Sequence, residues 1–335
     1  MSVEERAGQV LMIGTPVDSP RGLAETVRRH RLGGVFLAGR STRSADALRA
    51  DIDVLKGATP LTPLVAVDQE GGSVQTLKGA DFPLMPSAER LGRRSQAELH
   101  DAVRDSARRL HGIGVTLNLA PVADTVPESI GPANPPIGAF RRQYGSDPGE
   151  VAADIETAVA ASQGEGVLTV LKHFPGLGRV RANTDVSSEV VDAYMTSTDP
   201  HLKPFAAGIR AGSAGVMMSS ARYPRLDRGG IAAYSKPIVT GLLRERLGHD
   251  GLIMSDDLGA ADAAAIAPVG ERAVRFVAAG GDLALTIRPQ DAKPMAGALT
   301  AEARKSPEFD SRLTDAARHV LQAKDRVGQL PCSRK

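Results

Sequence analysis

The chain has 335 residues, of which 42% are hydrophobic and 24% are charged, and its formal net charge is +2. This composition is ordinary for a globular protein. Positive and negative charges are nearly balanced, which does not indicate a nucleic-acid partner. No apolar run approaches the roughly 20 residues that a membrane-spanning helix needs. The single cysteine, Cys332, excludes an internal disulfide and a cysteine-ligated metal site.

Eight short apolar segments follow one another along the chain, and each of them predicts a β-strand. They lack the regular alternation of polar and apolar residues that a half-exposed strand shows, which is typical of strands buried in a parallel sheet. In chain order these segments are residues 9–16, 34–39, 64–71, 116–124, 167–173, 215–221, 251–257 and 282–288.

Segments with helical periodicity, rich in Ala, Arg, Leu and Glu, lie between these strands. They include residues 44–56, 98–110, 148–162, 237–247 and 271–279, and residues 306–328 predict a closing helix. Strand and helix alternating over the whole length favour parallel pairing through right-handed crossovers. Eight strands are the number that a closed barrel of this kind needs, so the sequence predicts a (β/α)8 TIM-type barrel.

The barrel is expected to occupy residues 1–335 as a single domain, because no low-complexity linker divides the chain. The Pro- and Gly-dense residues 127–145 predict a long loop at the face where the strands end. The first ten residues show no signal peptide. The sequence is therefore that of a cytoplasmic protein, or of an exported protein whose signal has been removed.

Charged side chains follow the predicted strands at the points where these end. They are Asp68, Asp124, the pair Lys172–His173 and the pair Asp256–Asp257. In a barrel the carboxyl ends of the strands meet around one pocket. Taken alone, each carboxylate is more typical of a helix cap or a surface loop. Together, acids that accept hydroxyl hydrogens and a Lys-His pair that donates predict a site for a polyhydroxylated ligand, where a carboxylate pair can hydrolyse an acetal.

Five segments occur in an order that resembles a known family. They are V-D-Q-E-G-G-S-V-Q from Val67, N-L-A-P-V-A-D from Asn118, I-G-A-F-R-R-Q-Y-G from Ile137, K-H-F-P-G-L-G from Lys172 and M-S-D-D-L from Met254. These look like the signature segments of glycoside hydrolase family 3, in its β-N-acetylhexosaminidase branch. The resemblance covers nearly the whole chain. It implies a (β/α)8 barrel that cleaves terminal N-acetylglucosamine from cell-wall muropeptides or chitin fragments, with retention of configuration.

The resemblance also implies roles for individual residues. Asp256 would be the nucleophile that forms a glycosyl-enzyme ester, with Asp257 as the alternative. The hydroxyls of the non-reducing sugar would be held by four residues, Asp68, Arg142, Lys172 and His173. A site that bonds each hydroxyl rejects analogues that lack one. The resemblance implies no metal ion and no other cofactor.

The chain departs from the family's pattern at several positions, and Leu177 and Arg179 replace polar residues of the loop after K-H-F-P-G. The loop after K-H-F-P-G usually ends in Asp-Ser-His, whose histidine is the acid/base, whereas this chain has Asn183-Thr184-Asp185 at the same spacing. Either Asp185 acts as the acid/base in the histidine's place, or the chain has lost catalysis and only binds sugar. The arginine that usually follows the D-Q-E-G-G segment is replaced by Thr76. A family 3 glycosidase of different sugar specificity is therefore a further alternative.

Other kinds of site are not favoured. The segment G-L-G-R-V-R-A from Gly176 resembles a dinucleotide fingerprint, but Pro175 stands in the turn and no acidic strand end follows at the required spacing. The other histidines lie singly, and no G-x-S-x-G nucleophile motif is present. With no Trp and only 3% aromatic residues, stacking subsites for a long polymer are not expected. An exo-acting monomer that binds one terminal sugar of a small carbohydrate is expected instead.

Overall fold

The computed structural model describes residues 1–330 and contains a parallel eight-stranded β-barrel surrounded by helices. The barrel strands, numbered β1 to β8 in chain order, are Leu11–Pro16, Gly34–Ala38, Leu64–Val67, Leu117–Asn118, Leu168–Phe174, Gly215–Met218, Leu252–Ser255 and Ala284–Thr286. Each strand from β1 to β7 pairs with its neighbours in chain order, and β8 pairs with β1. A bridge between Met254 of β7 and Leu283, just before β8, closes the circle. The expected (β/α)8 barrel is confirmed.

The helices surround the barrel, and the predicted ones all form, with ends within two residues of the expected positions. They are Val3–Gln9, Ala24–His30, Ala45–Lys56, Ala88–Leu91, Gln96–Gly112, Pro148–Gly164, Lys203–Arg210, Pro237–Arg246 (with π-type hydrogen bonds), Val269–Ala278, Ala292–Lys305 and Pro307–Arg326. None of the helices within residues 1–330 has the length and apolar character needed to cross a bilayer. Cys332, the single cysteine, lies outside the described residues.

Most strands are shorter than the sequence predicts, and two of them end early for reasons that the structure shows. The strand expected at residues 64–71 ends at Val67, because Gln69–Gly71 turns away and pairs antiparallel with Val74–Gln75. The strand expected at residues 116–124 is regular only over Leu117–Asn118. Beyond it, Pro121 has no N–H to donate to a sheet, and the chain follows β5 through a single bridge, between Val122 and Lys172. The residues after β3 and β4 therefore leave the regular sheet at the end of the barrel where the strands finish.

The strands bury both of their faces, which explains the missing polar alternation in the sequence. In β1, Met12 belongs to the apolar cluster inside the barrel, whereas Leu11 and Ile13 belong to the cluster shared with the surrounding helices. Every residue of β3, β5 and β7 is buried. The barrel is therefore a packed core, and space for a ligand exists only at its ends.

The last helix, Pro307–Arg326, covers the end of the barrel at which the strands begin. Its Val320 and Ala323 belong to the interior apolar cluster. The fully buried Lys324 donates from Nζ to Oε1 of Gln9 at 2.6 Å, and burial lowers the pKa of Lys324 to about 7. Because this helix covers the strand N-termini, the end where the strands finish is the one left for a site.

Candidate active site

A pocket of about 410 Å³ lies at the carboxyl ends of the strands. Apolar side chains of the barrel interior, among them Phe36, Leu119 and Met217, form part of its wall. The remaining wall is charged. All six residues that the sequence predicts for the site line this pocket: Asp68, Arg142, Lys172, His173, Asp185 and Asp256.

The strand ends explain how these residues meet. Asp68 follows β3 and Asp256 follows β7, where the chain leaves the barrel. The pairing register between β5 and β6 shifts between Leu171 and Phe174, so the regular alternation of side chains is interrupted there. Both Lys172 and His173 consequently line the pocket, although they are consecutive residues of one strand.

Four charged side chains form one ion-pair network at the wall of the pocket. Nζ of Lys172 lies 2.6 Å from Oδ1 of Asp68 and 2.6 Å from Oε1 of Glu70. Arg142 donates to both oxygens of Glu70 at 2.8 Å, which is the two-pronged geometry that guanidinium and carboxylate groups favour. Glu70 and the Lys172 side chain are almost completely buried, whereas the Asp68 side chain is 27% exposed. Asp68 is therefore the carboxylate of this network most open to a ligand.

The network is charged because its members compensate one another. Burial alone would raise the pKa of Glu70, but the positive charges of Arg142 and Lys172 lower it to about 2. Burial alone would lower the pKa of Lys172, but Asp68 and Glu70 raise it. The pKa of Arg142 is likewise raised by Glu70 against the effect of burial. Each side chain thus has its orientation set by oppositely charged neighbours before any ligand binds.

His173 is held by a second buried carboxylate. Its Nδ1 lies 2.7 Å from Oδ2 of Asp124, and its Nε2 lies 3.4 Å from Nη2 of Arg142. Asp124 is fully buried and also accepts hydrogen bonds from the backbone N–H groups of His173 and Leu177. The imidazole is therefore fixed at one edge of the pocket.

Asp256 and Asp257 differ in what their carboxylates do. The Asp257 carboxylate accepts from the backbone N–H groups of Gly259, Ala260 and Ile287 at 2.9 to 3.2 Å. Burial raises the pKa of Asp257, and these backbone hydrogen bonds oppose that rise. The Asp256 carboxylate accepts one backbone hydrogen bond, from the N–H of Asp257 at 2.8 Å. Asp257 therefore holds its own loop together, and Asp256 keeps an oxygen available in the pocket.

Asp185 reaches the pocket from the loop after β5. The carbonyl groups of Thr184 and Asp185 accept from the N–H groups of Ala263 and Asp262, which lie in the loop after Asp256. Asp185 is exposed to solvent, yet the surrounding protein desolvates its carboxyl group in part, and this partial burial raises its pKa. The negative charge of Asp256 raises that pKa further, while the positive charge of Arg142 opposes the rise. Two carboxylates from different loops thus influence each other across one pocket.

Two of the residues that replace the family's polar ones, Thr76 and Arg179, are engaged outside the pocket. Thr76 is buried, and both its N–H and its hydroxyl donate to the carbonyl oxygen of Asp68, at 2.9 and 3.0 Å. The Arg179 guanidinium lies 2.9 Å from Asp192 and 2.8 Å from Asp199. Thr76 and Arg179 are absent from the lining of the pocket. Thr76 therefore acts on the site through the backbone of Asp68.

The sequence analysis does not single out the buried Glu70, and it places Asp124 at a strand end without assigning it a role. Glu70 lies within the D-Q-E-G-G segment, and Asp124 ends N-L-A-P-V-A-D, so a signal for each was present in the family motifs. Within residues 1–330, no group of three or more His, Cys, Asp and Glu side chains is arranged to hold a metal ion.

The comparisons with known proteins all point in one direction. The family model described as the glycosyl hydrolase family 3 N terminal domain matches residues 2–323. The chain is 30% identical to the β-hexosaminidase LpqI of Mycobacterium tuberculosis over 298 residues, which cover 87% of this chain and 74% of that protein. It is 32% identical to a β-hexosaminidase of Xanthomonas oryzae pv. oryzae over 272 residues, 77% of each protein.

Solved structures agree with these matches. The β-N-acetylhexosaminidase from Beutenbergia cavernae superimposes with a TM-score of 0.94 at 41% identity, covering 97% of this chain and 98% of that one. A family 3 β-N-acetylglucosaminidase from a Paenibacillus species superimposes with a TM-score of 0.85 at 27% identity, covering 98% of this chain and 63% of that one.

Proposed function

The chain belongs to glycosyl hydrolase family 3 and is a glycoside hydrolase, and from this premise we propose that it is a retaining exo-β-N-acetylglucosaminidase. Its substrates are oligosaccharides from cell-wall muropeptides or chitin that end in β-linked N-acetylglucosamine. The names of its relatives, which are β-hexosaminidases and a β-N-acetylglucosaminidase, support N-acetylglucosamine as the terminal sugar. The observation that carries the proposal is the meeting of Asp256 and Asp185 in one pocket with a preformed set of hydroxyl-binding groups.

Asp256 acts as the nucleophile in this proposal. One of its oxygens bonds to the anomeric carbon while the bond from that carbon to the leaving oxygen breaks, which gives a glycosyl ester. The assignment favours Asp256 over Asp257 because the Asp257 carboxylate accepts three backbone hydrogen bonds within its own loop. An oxygen engaged in that way would leave the loop unsatisfied if it attacked the sugar.

Asp185 acts as the acid and then as the base. It gives its proton to the leaving oxygen in the first step and takes one from the attacking water in the second, when the bond to Asp256 breaks. Burial and the charge of Asp256 raise the pKa of Asp185. A raised pKa keeps a larger fraction of the carboxyl protonated near neutral pH, as a general acid requires. Once the ester has formed, Asp256 is neutral, so Asp185 gives up its proton more easily.

The hydroxyls of the terminal sugar bind to Asp68, Arg142, Lys172 and His173. Because Glu70 already fixes Lys172 and Arg142 from behind, the site does not have to order these long side chains when sugar binds. A sugar whose hydroxyls are bound in this way has to be the last one of the chain, because an internal sugar has one of these hydroxyls linked to the next residue. This supports exo cleavage. The rival proposal, a barrel that only binds sugar, is less well supported because Asp185 and Asp256 line the same pocket.

The test is hydrolysis of an aryl β-N-acetylglucosaminide by the wild type and by Asp256→Ala. The variant is expected to lose several orders of magnitude in kcat with an unchanged fold. Asp250→Ala, which removes an exposed acid just before β7, is the matched control and should keep full activity. Full activity in Asp256→Ala with loss in Asp257→Ala would overturn the assignment of the nucleophile. No turnover of any β-N-acetylhexosaminide by the wild type would overturn the proposed function.

The proposal extends to partners. We expect the enzyme to act as a monomer on a small carbohydrate and to bind no nucleic acid, since its charge is balanced. Light scattering of the purified protein tests the first expectation.

A further inference from the structure

Asp124 lies beyond β4 and is fully buried, yet its carboxylate reaches the pocket through His173. Oδ2 accepts from the backbone N–H of His173 at 3.1 Å and lies 2.7 Å from its Nδ1. Oδ1 accepts from the N–H of Leu177 at 2.6 Å. We propose that Asp124 is a positioning residue that fixes the tautomer of His173, so that Nε2 accepts a hydrogen bond from a sugar hydroxyl. The proposal rests on the proposed function.

The tautomer follows from the two neighbours of the ring. An ionised carboxylate can only accept, so the short contact with Oδ2 requires a proton on Nδ1. On the other side, Nη2 of Arg142 lies 3.4 Å from Nε2. A guanidinium has only donors, so an unprotonated Nε2 satisfies this contact and a protonated one would face another N–H. The neutral ring with its proton on Nδ1 fits both neighbours.

The chemical consequence concerns the direction of one hydrogen bond. Lys172 and Arg142 can only donate to a sugar hydroxyl, and Asp68 accepts. With its proton on Nδ1, His173 becomes a further acceptor in the pocket, once a sugar hydroxyl replaces the long 3.4 Å contact from Arg142 at the single lone pair of Nε2. A sugar hydroxyl can donate its one hydrogen and can also accept hydrogen bonds. A hydroxyl next to an acceptor such as Nε2 of His173 must therefore act as the donor. The site would then reject a sugar in which that hydroxyl is replaced by a group that cannot donate.

The same carboxylate also fixes the first turn of the loop that carries Asp185. Besides the bond from Leu177 to Asp124, the side-chain amide of Asn134 donates to the carbonyl groups of Leu177 and Val180. A Cβ at Gly178 would lie 1.9 Å from the carbonyl oxygen of Thr125, so only glycine lets the loop pass there. Asp124 thus holds the sugar-binding ring and the base of the catalytic loop with two oxygens of one side chain.

An amide cannot replace this carboxylate. Asp124→Asn keeps the shape but turns one of the two oxygens into a donor, and both oxygens face N–H groups in the wild type. Either the N–H of Leu177 loses its acceptor, or the ring must move its proton to Nε2 to accept from the amide. We expect kcat/KM to fall about 10- to 100-fold, the usual effect of a lost hydrogen bond to a charged group. If the tautomer changes, this fall in kcat/KM should come mainly from a higher KM.

The matched control is Asp282→Asn. Asp282 is also fully buried, lies 2.9 Å from a histidine Nδ1, that of His319, and accepts from a backbone N–H, that of Ile253. It is located before β8, at the opposite end of the barrel. Its variant should lose at least as much stability as Asp124→Asn while keeping the wild-type KM. Equal kinetic losses in the two variants would show that Asp124 has only a structural role.

Two measurements read the tautomer directly. In ¹⁵N NMR of the wild type, with His173→Gln to assign the signal, His173 should show a protonated Nδ1 and an unprotonated Nε2. Inhibition by deoxy and fluoro analogues of N-acetylglucosamine identifies the hydroxyl that His173 binds. Removing that hydroxyl should weaken binding to the wild type but not to His173→Ala. Fluorine at that position cannot donate, so the fluoro analogue should bind the wild type as weakly as the deoxy analogue.

Two further results would overturn the proposal: a proton on Nε2 in the wild type, or a fluoro analogue that binds as well as the parent sugar. The NMR measurement needs no substrate. An inactive protein with the expected tautomer would therefore contradict the proposed function while supporting the role of Asp124 in fixing the ring.

Discussion

Replacing Glu70 by Gln tests whether the ion-pair network of the pocket is built as described. Glu70 accepts from Arg142 through both oxygens at 2.8 Å and lies 2.6 Å from Nζ of Lys172. Glu70→Gln keeps the shape of the side chain but leaves two buried cations with Asp68 as their nearest carboxylate. Truncating one partner of a buried ion pair costs much more than removing a surface charge, because the remaining charges stay desolvated.

The magnitude follows from the pKa of Glu70, which the network lowers from 4.5 to about 2. Each tenfold change in a protonation equilibrium is worth about 1.4 kcal/mol, so the charged form of Glu70 stabilises the fold by about 3 kcal/mol at neutral pH. The folded pKa is the lower one. The contribution is therefore complete above the unfolded value of 4.5 and is lost as the pH falls from 4.5 toward 2.

The assay is urea unfolding of the wild type and Glu70→Gln at pH 7 and at pH 3. We expect a difference of about 3 kcal/mol at pH 7 that becomes clearly smaller at pH 3. KM should rise about tenfold, since Lys172 and Arg142 lose the group that orients them. Glu128→Gln, which changes an exposed acid, should stay within about 0.5 kcal/mol of the wild type. A cost below about 1 kcal/mol at pH 7, or the same cost at both pH values, would refute the reasoning.

Three further predictions concern the acid/base and the closed end of the barrel. Asp185→Ala should slow substrates with poor leaving groups far more than activated aryl glycosides, and azide should partly restore turnover; equal losses with no azide effect would contradict the acid/base role. An ionised Asp185 about 4 Å from an incoming phosphate dianion repels it by several kcal/mol, so NMR in phosphate buffer should show free N-acetylglucosamine and not the sugar 1-phosphate. Lys324→Met should stabilise the fold by about 3 kcal/mol more at pH 7 than at pH 10, because the folded pKa of Lys324, about 7, lies below the unfolded one. The same gain at both pH values in urea unfolding would show that Lys324 is charged in the folded state.

The fold could be predicted because its signals are local. Each strand is apolar on both faces, and the stretches between strands have helical periodicity, so the alternation is visible without any knowledge of packing. Strand ends were less predictable. The strand at residues 64–71 stops at Val67 because the chain from Gln69 to Gly71 finds a different partner, Val74–Gln75. Hydrogen-bond competition of that kind is decided by the whole sheet.

The sequence by itself determined which side chains could meet. Asp68, Lys172, His173 and Asp256 stand at strand ends, and in a closed parallel barrel all those ends lie at one face, so their convergence follows from topology. Arg142 and Asp185 lie in loops and could be assigned only through the resemblance to a family. Their presence in the pocket depends on loop paths that no local pattern specifies.

Only the tertiary structure decided what each carboxylate does. Asp256 and Asp257 are equivalent in the sequence, but three backbone N–H groups bind the second and one binds the first. Glu70 supports Arg142, 72 positions away, and Asp124 supports His173, 49 positions away. The physical reason is that a buried charge is tolerable only beside its partners. Those partners come from distant strands, so the role of such a residue becomes visible only when the barrel is closed.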